Sequence, residues 1–435
     1  MPTTPAAAVG MTVLDLARAG RFAEIRDMFA PNLRTMVTPE SLQAAWTAAL
    51  GQHGAVTAGG APLSEPAGVG ADVTLVKIPV TSEHGEATVV VAVSDAGWLT
   101  GIQLGPAEAA QPAQPWQPPD YADPRVFREQ DATVGAGRFM VPGTVTMPDV
   151  PGRHPAVVLL PGSGPLDRDS TIGRNKPFKD LAWGLASRGV AVARFDKISY
   201  VHGDPFARNA DFTVDDDYVH HAVAAVHLLR EHRAVDPARV FVLGHSLGGT
   251  LAPRVAAAEP AVAGLVILTG GAQPLHWAAV RQLRYLASLD PDTAAASQPI
   301  IDTMSRQAQT VDSPDLSPAT PAGDLPFGVP AGYWLSLRGY DPAAAAAKLS
   351  KPMLILQGGR DYQATVADDL ARWRASLADR PDVTIRVHDA DNHLFFPGTG
   401  PSKPSEYEQA QHMDPEVVAN VATWLTTGMS PPERS

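Results

Sequence analysis

Apolar residues recur at helical spacing from the start of the chain: Val13, Leu14, Leu16 and Ala17, then Phe22, Ile25 and Phe29. That is the pattern of helices burying one face, and it predicts a helical hairpin. A further helix is expected near Pro39-Glu40-Ser41, followed by strands at Val73 to Val80 and Ala87 to Val93, each bounded by Gly, Ser or Asp. Residues 1–105 therefore read as a small α+β domain. Proline recurs through 106–123 too densely for sheet pairing, which marks a semi-extended linker. Beyond it the period changes. Short runs rich in Val, Ile and Leu at Ala156–Leu160, Val190–Phe195, Val240–Leu243, Leu265–Leu268, Met353–Gln357 and Thr384–Val387 alternate with helical stretches. Such runs suit parallel strands covered on both faces, so 124–435 reads as an α/β domain built of βαβ units. The interval Gly271–Lys351 exceeds a simple crossover and carries Trp277, Tyr285, Leu289, Met304, Tyr333 and Trp334 among polar residues. It predicts a mostly helical lid over about 272–350.

Composition narrows the chemistry. The chain has 435 residues, of which 45% are hydrophobic and 18% charged, enough to bury two cores. A net charge of −12 with no basic cluster argues against nucleic acid as a partner. The absence of cysteine removes disulfides, thiolate metal sites and a cysteine nucleophile. The N-terminal Met1-Pro-Thr-Thr-Pro-Ala-Ala-Ala lacks a basic segment followed by an apolar run, and no stretch of about 18 apolar residues occurs. A cytoplasmic protein without membrane contact is expected, and a processed secreted form would read alike.

One segment carries chemistry. Gly244-His245-Ser246-Leu247-Gly248-Gly249 follows the strand Val240–Leu243 and opens a helical stretch, the context of a nucleophile elbow in an α/β-hydrolase fold. A serine hydroxyl needs a base within hydrogen-bond reach, and the base needs an acceptor on its far nitrogen. In that fold the chain order is serine, acid, histidine. Asp361, after the strand Met353–Gln357, is the expected acid, and His393, after the last strand, is the expected base. His388 lies too close to the strand end, and Asp389 and Asp391 fit the turn before His393 better than the acid's role. Asp361 has an alternative part as cap of a helix beginning near Ala364. The oxyanion donors are expected to be the amide of Leu247 and that of Ser163, in the glycine-rich loop after Ala156–Leu160, with Gly164 the near alternative. Gly164, His245 and the lid aromatics Trp277, Tyr333 and Trp334 are candidate substrate contacts.

Four segments carry a family resemblance: Gly162-Ser-Gly-Pro-Leu-Asp-Arg-Asp169, Asn175-Lys-Pro-Phe-Lys-Asp-Leu-Ala-Trp183, Arg194-Phe-Asp-Lys197 and Gly358-Gly-Arg-Asp-Tyr362. Together they resemble bacterial esterases related to dienelactone hydrolases, over roughly Val126 to Leu425. The N-terminal unit resembles a small domain often found ahead of such hydrolases. The resemblance implies a carboxylesterase for short acyl esters with Ser246, Asp361 and His393 as triad and no cofactor or metal. Ile198-Ser199-Tyr200 departs from the usual continuation after Asp196-Lys197, which puts substrate preference in question.

Other clusters read as structure. His220, His221, His227 and His232 with Asp215–Asp217 lack metal-ligand spacing and suit a solvated helix face. Asp167, Arg168 and Asp169 suit an ion-pair network beneath the oxyanion loop. A serine carboxylesterase acting on a small-molecule ester is therefore expected. Its alternatives are a thioesterase, lactonase or acyltransferase/cyclase with the same triad, or a non-catalytic scaffold. The N-terminal domain would suit a lid, a gate or the contact of a homodimer.

Overall fold

A computed structural model describes residues 5–30, 37–66, 73–106, 116–203, 209–289 and 291–428. The chain divides into two units, Met1–Gln114 and Pro115–Ser435. In the first, helices α1 (Pro5–Arg18), α2 (Phe22–Met28) and α3 (Pro39–His53) accompany an antiparallel sheet. Its strands β1 (Val56–Gly59), β3 (Val73–Ser82), β4 (Gly85–Ser94) and β5 (Leu99–Pro106) are paired in that order, with β2 (Leu63–Pro66) on β3. Along β3 and β4 alternate residues turn inward, Val76, Ile78 and Val80 beside Val91, Val89 and Ala87, and the helical residues Val13, Leu14, Phe22 and Ile25 close this core.

The second unit is an eight-stranded sheet flanked by helices. Its strands are β6 (Phe127–Val134), β7 (Val141–Pro148), β8 (His154–Leu160), β9 (Ala191–Phe195), β10 (Val235–His245), β11 (Leu265–Leu268), β12 (Met353–Gly358) and β13 (Val383–His388). Their spatial order is β13-β12-β11-β10-β8-β9-β7-β6. From β13 to β9 every pairing is parallel, and β7 runs antiparallel to both its neighbours. Both faces are covered. Ala156, Val158 and Leu160 of β8 pack with α5 (His220–Glu231), α6 (Leu247–Ala258) and Trp373 of α11 (Ala371–Ser376), whereas Val157 and Leu159 meet α4 (Pro177–Ala186) and α12 (Pro415–Thr427). This two-sided burial is why the core strands read as unbroken apolar runs.

The insertion between β11 and β12 is helical, with α7 (Leu275–Ser288), α8 (Pro291–Asp312), α9 (Ala331–Leu337) and α10 (Pro342–Ala347). The edge hairpin β6–β7 is not among the strands predicted from the sequence. β6, Phe-Arg-Glu-Gln-Asp-Ala-Thr-Val, exposes most of its side chains and β7 contains proline and glycine, so neither shows the apolar signature of a central strand. Half of the expected linker, 107–115, lies outside the described residues. Its last part belongs to the second unit: Trp116 donates its indole N–H to Asp180 at 2.8 Å and meets Trp183 edge-on. Among the described residues, no helix is long and apolar enough to cross a membrane.

Candidate active site

The sheet's topology places the site. From β8 the chain crosses to β9 on one side, and β10 then pairs with β8 on the other. Connections leaving the C-terminal ends of β8 and β10 diverge there, which opens a crevice. The loop Pro161–Pro165 and the turn Gly244–Gly248 occupy it.

Ser246 sits at φ 56°, ψ −122°, between β10 and α6. A non-glycine residue there costs of order 1–3 kcal/mol and persists only where the surroundings impose it. They do. A Cβ at Gly244 would lie 2.1 Å from the Gly248 carbonyl oxygen, and one at Gly248 would lie 2.3 Å from that of Leu160. Only glycine lets strand and helix close this tightly around the serine. The Ser246 N–H donates to the Leu268 carbonyl at 2.9 Å, tying the turn to β11. The serine opens on a cavity of about 260 Å³ whose wall also includes Leu247, Leu275, Tyr340, Gln363 and His393.

His393 reaches that cavity from the loop after β13. Its Nδ1 donates to Oδ2 of Asp361 at 2.7 Å, and both residues are buried. With Nδ1 engaged, Nε2 is the ring nitrogen left to accept a proton. Asp361 divides its oxygens: Oδ1 accepts the N–H groups of Gln363 and Ala364 at 2.7 and 3.1 Å, while Oδ2 serves His393. Asp361 thus serves the turn and the histidine with different atoms, and it does not cap the helix expected near Ala364. The helical segment that follows is capped by Thr365, whose hydroxyl accepts the Asp368 N–H.

Gln357, not singled out from the sequence, donates to Asp361 Oδ2 at 3.2 Å and to the Ala364 carbonyl at 2.7 Å. The signal was there: a polar side chain ending the apolar run Met353–Leu356 in a fully buried strand requires partners.

The residues expected to contact substrate lie away from the cavity wall. His245 is buried, and its Nε2 donates to the His393 carbonyl at 2.8 Å. Burial, helped by the neighbouring His393 ring, pushes its pKa down to about 3, so it is a neutral strut beneath the histidine loop. Trp277 bonds Asp312, Tyr333 packs in the core against Phe212, and Trp334 fills the lid's own core. None of these lines the cavity; Leu275, His276, Leu337 and Tyr340 do. Gly164 uses its carbonyl to accept from Lys197 at 2.8 Å. Ser163 is exposed and its amide makes no hydrogen bond within the described residues. The Leu247 amide opens α6 and so has no intrahelical partner. A Cβ at Gly162 would stand 3.3 Å from that of Ser246, so the glycine loop lies directly against the serine.

Beneath the loop, Arg168 grips Asp196 through two parallel bonds of 3.0 Å, and Asp169 pairs with Lys176 and Arg194. Asp167 instead accepts from Thr171. The helix histidines have separate neighbours, His221 the Phe139 carbonyl, His227 Glu259, and His220 Asp216. Among the described residues the group that could hold a metal ion is His388, Asp391 and Asp414, whose ligating atoms lie within 4.8 Å of one another outside the cavity wall.

A family model described as the alpha/beta hydrolase family matches residues 157–410. The chain belongs to that family. Esterase EstD of Thermotoga maritima is 37% identical to this hydrolase over 345 residues, spanning 79% of this chain and 77% of that protein. The 2,6-dihydropseudooxynicotine hydrolase of Paenarthrobacter nicotinovorans is 32% identical over 137 residues, 32% of this chain and 34% of that protein. A solved 2,6-dihydroxy-pseudo-oxynicotine hydrolase shares 19% identity at a TM-score of 0.43, covering 70% of this chain and 71% of its own. The α/β-hydrolase fold expected from the alternation of strands with helices and from the elbow is the fold of this hydrolase.

Proposed function

We propose that this hydrolase is a serine carboxylesterase acting through an acyl-enzyme. Ser246 Oγ attacks the ester carbonyl carbon while His393 Nε2 takes its proton, and Asp361 steadies the imidazolium from Nδ1. The amides of Leu247 and Ser163 stabilise the oxyanion. Collapse expels the alcohol, which receives the proton from His393. Water, deprotonated by the same imidazole, then attacks the acyl carbon and frees the serine. The observation that carries this reading is the 2.7 Å bond between His393 Nδ1 and Asp361 Oδ2, with His393 and the strained Ser246 on one cavity wall. The name of the Thermotoga relative, an esterase, supports the same class. A cavity of about 260 Å³ suits a short acyl group or a compact small-molecule ester. Descent from the dienelactone hydrolase-related esterases belongs to this reading, supported by the segments Gly162–Asp169 and Arg194–Lys197.

Ser246→Ala is expected to lower turnover of p-nitrophenyl acetate by at least about 10⁴-fold with an unchanged circular dichroism spectrum. It should also lose labelling by a fluorophosphonate. A variant that hydrolyses the ester at the parent rate would sink the reading. A panel of acyl esters, lactones and acyl thioesters, compared by kcat/KM, sets the substrate class.

A further inference from the structure

A fully buried lysine lies under the glycine loop, and the mechanism above leaves it unused. Lys197 is 1% exposed, and its ammonium donates at 2.8 Å to the Gly164 carbonyl, the Tyr218 hydroxyl and Oδ2 of Asp217, with the Gly162 carbonyl at a longer 3.5 Å. An ammonium has three hydrogens and no lone pair, so the three short contacts use all its hydrogens and fix the direction of the cluster. Tyr218, also 1% exposed, must accept from the lysine, and its single hydrogen goes to the Gly162 carbonyl at 2.5 Å. Asp217 supplies the countercharge that makes burial of the ammonium tolerable. The local backbone delivers both residues: Asp215–Val219 is a π-helical turn entering α5, and Asp217, Tyr218 and Val219 all face inward from it.

The carbonyls held from below belong to the loop whose amide is the expected oxyanion donor. In a trans peptide the C=O and N–H of one unit point in opposite directions. The Gly162 carbonyl and the Ser163 N–H share one such unit. Drawing the Gly162 oxygen down onto the Tyr218 hydroxyl therefore turns the Ser163 N–H the other way, out of the core. Gly164, at φ +85°, could adopt other conformations cheaply, so the loop's own sequence does not fix this orientation. We propose that Lys197 and Tyr218 are positioning residues that set the Ser163 amide for the oxyanion, with Asp217 holding Lys197 in place.

The inference rests on the esterase reading, and its test is chosen so that the two fail separately. Tyr218→Phe removes the hydrogen bond to Gly162 while keeping the ring that packs in the core. Loss of an oxyanion donor costs 10²–10³ in kcat, so a loosened donor should lower kcat by roughly tenfold or more with KM within about twofold. Affinity for a trifluoromethyl ketone, whose hemiketal with Ser246 carries the oxyanion, should fall by the same factor as kcat/KM. Lys197→Met should act in the same direction and more strongly. If that variant fails to fold, Tyr218→Phe decides the matter alone. Unchanged kcat in Tyr218→Phe, or a fall in kcat with undiminished ketone affinity, overturns the inference. A parent protein that neither hydrolyses esters nor takes the fluorophosphonate overturns the esterase reading instead.

Discussion

Asp361 and Asp391 are both buried, and their surroundings give them different tasks. Donors converge on Asp361 from Gln357, Gln363, Ala364 and His393, so both of its oxygens have partners. Asp391 is 0% exposed, and neither of its oxygens meets a donor. Burial, with the carboxylate of Asp414 adding and Glu416 contributing further, pushes its pKa up to about 7, while Arg360 works weakly the other way. His388 completes the group. An unfolded aspartate releases its proton near 3.8, whereas the folded protein retains it to about 7, so folding takes up a proton between those values. Ionisation of Asp391 should therefore work against stability increasingly as pH rises from about 4 to about 7, and by a constant amount above it. In thermal denaturation, the Tm of Asp391→Asn relative to the parent is expected to rise across that window, and to exceed the parent's at pH 8. Parallel curves for the two proteins would contradict this account. Ser246, Asp361 and His393 could be proposed from the sequence because each follows the C-terminal end of a strand, where chain order and turn chemistry constrain the choice. The cavity wall was not. Whether Trp277 or His276 faces the cavity depends on how α7 is rotated against its neighbours, and an aromatic-rich helix has more than one apolar face to offer.

At the scale of elements, the lid is attached by a buried carboxylate. Asp369, 0% exposed, accepts the N–H groups of Ala272 and Gln273 through Oδ1, at 2.9 and 3.0 Å. Its Oδ2 takes Arg281 of α7 at 2.7 Å and the Thr365 N–H at 2.8 Å. One side chain thus joins the start of the lid, its first helix and the segment beyond β12. Removing it leaves three backbone donors without partners and takes from the half-buried Arg281 guanidinium one of its two carboxylates, Asp368 being the other. Asp369→Ala is expected to lose about 3–5 kcal/mol in urea unfolding and to admit proteolysis within the lid. A loss below about 1 kcal/mol would show that the lid is held elsewhere. Nothing in the sequence distinguished Asp369 from Asp368 beside it. Their difference arises from the π-helical turn Val366–Leu370, which buries one and leaves the other against solvent. The β6–β7 hairpin escaped notice for a related reason: an edge strand need not carry the apolar run that marks a central one.

For the whole molecule, the two units carry separate cores, and Trp116, where the second begins, is seated on Asp180 and Trp183 of that unit. A fragment of residues 115–435 is accordingly expected to fold and to take up a fluorophosphonate at Ser246. Fluorescence-monitored unfolding and gel-based labelling check this, and an aggregated, unlabelled fragment would assign the N-terminal unit a part in assembling the other. The lid leaves the sheet after β11 and returns at β12, and those strands are paired to each other, Leu265 with Met353 through to Leu268 with Leu356. Its removal or replacement by another loop would thus disturb no strand register. Descendants of this protein can exchange one segment, and with it much of the cavity wall, while inheriting Ser246, His393 and Asp361 intact.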